Sequence, residues 1–111
     1  MTPMENLSNA ELAAAIKQPG KKMLFFTATW CPDCAFIKPV MPDIESKYDQ
    51  YQWLHVDRDA NLDFAQELGV MGIPSFVAFE DGQELGRFAN ADRKTRAEVE
   101  SFIDTLEGQP A

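Results

Sequence analysis

The sequence predicts an α/β domain, with a central mixed β-sheet of four or five strands flanked by about four helices. Three observations carry this. Apolar runs of strand length alternate with segments of helical period. One of them, MLFFTA at 23–28, is apolar throughout, as a central strand buried on both faces requires. Asp81 and Gly82 form a hairpin turn between the last two strand-like segments.

Each element has its own local cause. Ser8 and Glu11 form a capping box, and Leu12, Ala15 and Ile16 line one face of a helix over about residues 9 to 17, ended by Pro19 and Gly20. Met23 to Ala28 then delivers the chain to TWCPDC at 29–34. From Pro32 onward Phe36, Ile37, Val40, Met41 and Ile44 recur at helical spacing, and Pro39 removes one amide and should kink that helix. QWLHV at 52–56 reads as a strand. DANLDFAQELGV reads as a helix capped by Asp59 and stopped at Gly69, and SFVAFE as the next strand. The turn leads into QELGRFA, and Val99, Phe102, Ile103 and Leu106 share one face of a last helix. Whether Met4 to Leu7 adds an edge strand is open at this level.

At 111 residues and 45% hydrophobic content, residues 1–111 make one domain that can bury a core without cross-links or a structural metal. Eighteen acidic against ten basic residues give a net charge of −8, which repels nucleic acid and anionic membrane surfaces. The first 22 residues do not read as a secretory signal, and no apolar run reaches the roughly 20 residues of a spanning helix. The expectation is a monomer in a reducing cytoplasm, where a permanent disulfide would be unusual.

Both cysteines lie in TWCPDC, Cys31 and Cys34, at a strand-to-helix junction. That position sets the first thiol at a helix N-terminus, where free amides favour thiolate, and makes Cys31 the nucleophile. Cys34, one turn on, can attack a mixed disulfide at Cys31 and should be the more buried, resolving thiol. A metal site needs about four ligands, and the chain offers two cysteines and the single histidine, His55. No metal or other cofactor is expected.

WCPDC resembles the WCGPC signature of the thioredoxin family, with a changed dipeptide. Pro39, five residues after Cys34, matches the proline that kinks the family's active-site helix, and GIPS at 72–75 matches its cis-proline segment, with Pro74 as that proline. The FEDG hairpin matches the family's strand-turn glycine at Gly82, so the likeness covers nearly the whole chain.

The resemblance implies a thioredoxin fold and a protein-disulfide reductase recharged by an external reductase or a low-molecular-weight thiol. It also implies a groove in which substrate pairs with backbone beside the cis-proline. Trp30, Pro32, Met71, Gly72, Ile73, Pro74, Asn90 and Ala91 would line that groove. Three positions depart from the family: Phe25 stands at its buried aspartate, His55 at that aspartate's lysine companion, and Asn90 at a glycine. Water, rather than His55, is then expected to take the resolving thiol's proton. Asp33 places a negative charge beside the Cys31 thiolate, which favours the reduced form as a donor; alternatively it is only a solvated helix-start acid. A binding or accessory module with a secondary or redox-sensing dithiol is the rival reading, favoured by Phe25 and Asn90. A thiol oxidase is disfavoured by Asp33.

Overall fold

The computed structural model describes residues 3–108. Strands β1 (Lys21–Thr27), β2 (Tyr51–Asp57), β3 (Ser75–Glu80) and β4 (Gln83–Ala89) form one sheet in the order β2-β1-β3-β4. β1 and β2 are parallel, and the other two pairings are antiparallel. The helices are α1 (Asn9–Ala15), α2 (Pro32–Ile37), α3 (Met41–Lys47), α4 (Leu62–Leu68) and α5 (Arg96–Glu107). A 3₁₀ turn at Lys38–Val40 joins α2 to α3, so these two are halves of one helix broken at Pro39, which has no amide to continue the ladder. The architecture is a mixed four-stranded sheet flanked by four helices, the second in two halves.

β1 shows why its sequence is apolar without alternation. Successive side chains point to opposite faces, and both faces are covered. Leu24 and Phe26 join Leu54, Val56 and Val77 under Leu12 of α1 and Phe64 of α4. Met23 and Phe25 join Trp53, Phe76 and Ala78 under Ile37, Met41 and Ile44, with Val99, Ile103 and Leu106 of α5. The hairpin turn holds Asp81 and Gly82 at φ 51° and 84°, the left-handed conformation that a two-residue connection needs.

Three local expectations change. α1 ends at Ala15, because the amides of Lys17 and Gln18 turn back to Ala14 and Ala15 at three-residue spacing and tighten the chain ahead of Pro19. Asp59 does not cap α4. Asp57 Oδ1 instead accepts the amides of Asp59 and Ala60 at 2.9 and 3.2 Å, and the helix starts one turn later from Asn61. The open question at Met4 resolves as a single parallel bridge to Leu54. Asn6, at φ 60°, then turns the chain away before a strand can extend.

Candidate functional site

β1 and the first turn of α2 set the two thiols. Cys31 is the N-cap of α2, with extended backbone (φ −88°, ψ 110°) and Pro32 following at the first helical position, where no amide is missed. The Cys34 amide donates to Cys31 Sγ at 3.1 Å. Both cysteines are free. Cys31 keeps 6% exposure and Cys34 none, so only Cys31 can be approached from outside. Burial, followed by the hydrogen bond and charge of Cys31, pushes the Cys34 thiol up to about 12.

The segment Met71–Pro74 runs past the dithiol. The Ile73–Pro74 peptide bond is cis, and the Ile73 carbonyl lies 4.0 Å from Cys31 Sγ. Trp30, next to Cys31 in the chain, and Met71, two residues before Ile73, are 60% and 47% exposed. Arg58 ties them together: its guanidinium lies 5.4 Å from the Trp30 ring centroid, and its Nη1 donates to the Met71 carbonyl at 2.8 Å. Trp30 Nε1 donates to Asp59 at 2.6 Å. That bond, with Arg58 adding to it, holds the Asp59 carboxyl below its ordinary range. Asp59, expected as a helix cap, thus serves to orient the exposed tryptophan.

On the far side, Asn90 and Ala91 press against Gly72. A Cβ at Gly72 would fall 2.5 Å from the Asn90 carbonyl carbon and 2.6 Å from the Ala91 nitrogen, so no side chain fits where these loops meet. Ser75 Oγ bridges them, 2.6 Å from the Gly72 oxygen and 3.3 Å from that of Asn90. Of the residues expected to line a groove, Trp30, Pro32, Met71, Asn90 and Ala91 are exposed, Gly72 is half-buried, and Ile73 and Pro74 are buried, with Ile73 reaching Cys31 through its carbonyl and Gly72 packed on the Asn90–Ala91 backbone.

Asp33 is not an unpaired charge. Arg93 Nε donates to it at 3.0 Å, and the same guanidinium lies 4.4 Å from the Phe36 ring centroid. Nothing in the sequence points to this pair, since 60 residues separate the partners.

Phe25 is 2% exposed, stacked on Phe76 (4.9 Å, 12°) and meeting His55 edge-on (5.5 Å, 81°). His55 uses both ring nitrogens elsewhere, Nδ1 to Glu5 at 2.9 Å and Nε2 to Glu45 at 2.7 Å, leaving none for a thiol. A cleft of about 610 Å³ opens here, lined by Phe25, Lys38, Met41, His55 and Asp57 among others. Among the described residues no group of three or more His, Cys, Asp or Glu side chains is placed to hold a metal ion. No helix among them is long and apolar enough to cross a membrane.

The family model described as Thioredoxin matches residues 3–105. The chain is 35% identical to thioredoxin of Homo sapiens over 101 residues, covering 89% of this chain and 93% of that one. It is 30% identical to the chloroplastic thioredoxin X of Arabidopsis thaliana over 105 residues, covering 93% of this chain but 58% of the plant protein's length. Among solved structures, oxidised mitochondrial thioredoxin 3 of Saccharomyces cerevisiae superposes with a TM-score of 0.79 at 28% identity, over 93% of this chain and 94% of the yeast chain.

Proposed function

This chain belongs to the thioredoxin family and is a thiol–disulfide oxidoreductase that reduces protein disulfides, and from that premise we propose that Cys31 attacks and Cys34 resolves. The observation that carries these roles is the asymmetry of the pair. Cys31 Sγ accepts the Cys34 amide at the start of α2 and retains some exposure, whereas Cys34 is sealed.

The Cys31 thiolate attacks one sulfur of the substrate disulfide and forms a mixed disulfide, while the other sulfur leaves as a thiolate that takes a proton. The Cys34 thiolate then attacks Cys31 Sγ. This closes the Cys31–Cys34 disulfide and expels the second substrate sulfur. Two electrons pass to the substrate, and an external reductase or small thiol returns them. Burial is the chief cause that keeps Cys34 protonated, and the hydrogen bond and charge of Cys31 add to it. Those two contributions are lost once Cys31 is in the mixed disulfide, which lowers the barrier to ionising Cys34 although its burial remains. Phe25 stands in place of an acid, His55 is engaged by two glutamates and Cys34 is sealed in the free protein, so its proton is left to water admitted when the mixed disulfide forms.

An extended substrate segment would lie along Ile73 between Trp30 and the Asn90–Ala91 turn, held by backbone pairing and apolar contact rather than by one sequence. A reducing compartment such as the cytoplasm suits this direction of electron flow. The protein is expected to act as a monomer, since one chain contains the whole dithiol site.

Insulin reduction with dithiothreitol, and then with a thioredoxin reductase as electron source, tests the activity. No turnover with either would refute it, and turnover with dithiothreitol alone would indicate a dedicated relative. Cys34→Ser should accumulate mixed disulfides through Cys31. Equal trapping by Cys31→Ser would reverse the roles.

A further inference from the structure

We propose that Lys94 is a positioning residue for substrate docking, whose buried ammonium locks the Asn90–Asp92 turn against Gly72 and so sets the far wall of the groove beside Cys31. The proposal rests on the disulfide-reductase reading above and adds to it the residue that shapes the substrate's path.

Lys94 is 0% exposed, just ahead of α5. Its Nζ lies 3.2 Å from the Asn90 carbonyl oxygen, 2.9 Å from Asn90 Oδ1 and 2.9 Å from the Asp92 carbonyl oxygen. An ammonium has three protons, and here each has an acceptor within a single turn. Asn90 Oδ1 also accepts the Asp92 amide at 2.9 Å. The Phe88 ring centroid lies 4.9 Å from the ammonium. A buried cation is costly unless acceptors replace its water, and these groups do so. Burial still pulls the ammonium below its ordinary value, with Asp92, Cys34, Glu98 and Asp33 acting to raise it.

The turn held this way is wall rather than core. Asn90 and Ala91 are exposed, yet their backbone is the surface that leaves Gly72 no room for a Cβ. The Asn90 carbonyl oxygen accepts Lys94 from within its own turn and lies 3.3 Å from Ser75 Oγ of β3, whose single proton is shared with the nearer Gly72 oxygen, so turn and Met71–Pro74 segment meet at this hydroxyl. Arg93 of the same stretch reaches Asp33 beside Cys31. The departure at 90 has a local use: an asparagine, where the family resemblance leads one to expect glycine, supplies the side-chain acceptor that Lys94 uses beside two backbone carbonyls. A glycine would keep the two carbonyl acceptors but lose Oδ1 and its bonds to Lys94 and the Asp92 amide, leaving the turn looser as substrate enters.

The test compares wild type, Lys94→Met, Asn90→Gly and the double variant on two substrates, with dithiothreitol as electron source. Insulin must lie along the groove, while 5,5′-dithiobis(2-nitrobenzoate) reaches Cys31 without filling it. For Lys94→Met the insulin KM is expected to rise about three- to tenfold with kcat within about twofold. The reaction with the small disulfide should hold within about twofold, and the dithiol potential should shift by less, in its equilibrium constant, than the insulin KM does, since the Lys94 charge also acts on Cys34. Asn90→Gly should raise the insulin KM less, and the double variant should fall short of the combined effects, because both changes break the same lock. Thermal unfolding establishes which variants are folded, and should Lys94→Met not fold, Asn90→Gly decides. An insulin KM unmoved in the folded variants, or both substrates slowed equally together with a changed potential, overturns the proposal. Wild-type protein inactive on both substrates would overturn the reductase reading instead.

Discussion

Phe25 stacks on Phe76 and meets the edge of His55, so a carboxylate there would lose the ring's contacts and bury a charge without a partner. Phe25→Asp should cost about 3 kcal/mol or more of stability, read as a lower urea midpoint. The folded fraction should reduce insulin faster near neutral pH if the acid can accept the Cys34 proton. An unmoved midpoint would show that the ring contributes nothing to the core. At Asp33 the charge effect depends on its partner. Asp33→Asn leaves Arg93 alone near the dithiol and should make the couple more oxidising. Arg93→Gln leaves Asp33 alone and should make it more reducing, and the double variant should return close to wild type. Both side chains are partly solvated, so each shift should stay within tens of millivolts, about 30 mV corresponding to tenfold in the two-electron equilibrium. Equilibration with glutathione measures all three. Asp33 was visible in the sequence as a charge beside Cys31, but its neutralisation was not, because guanidinium and carboxylate meet only after β4 returns alongside β3.

Among the elements, α5 starts from a full capping box. Thr95 Oγ1 accepts the Glu98 amide at 3.2 Å, and Glu98 Oε1 accepts the Thr95 amide at 3.0 Å. Through Val99, Ile103 and Leu106 this helix covers one face of the sheet, so fraying at its start weakens the whole fold. Thr95→Ala should cost about 1 kcal/mol, measurable by urea unfolding, and a loss near zero would show that the cap is redundant with packing. The capping box at Ser8 and Glu11 was legible because it lies within four residues of chain. The start of α4 was not. Asp57 and Asp59 are both acceptable caps by type, and only the path of the chain leaving β2 decides that Asp57 takes the amides while Asp59 faces Trp30.

For the whole molecule, His55 joins three distant parts of the chain: Glu5 of the N-terminal segment, β2 and α3 through Glu45. Burial alone would lower its pKa, but the hydrogen bond and charge of Glu45, with those of Glu5, together outweigh burial and raise it. A group raised on folding binds its proton more tightly in the native state. Its contribution is therefore full below the unfolded value of about 6.5 and is lost as pH rises through the raised native value. Stability should decline over that window in wild type, and His55→Gln should flatten the decline. Equal slopes in both proteins would assign the pH dependence to other groups.

What the sequence determined by itself is local in origin. Strand, helix and hairpin follow from periodicity and turn residues within a few positions, and the dithiol's asymmetry follows from a two-residue spacing at a strand-to-helix junction. What only the tertiary structure decided are the contacts across 29 residues between Trp30 and Asp59 and across 60 between Asp33 and Arg93, and the closure of Asn90 upon Gly72. The reason is combinatorial and geometric. Any of 18 acidic side chains could in principle meet a given arginine, and the choice falls to whichever loop ends the sheet brings together once both its faces are covered.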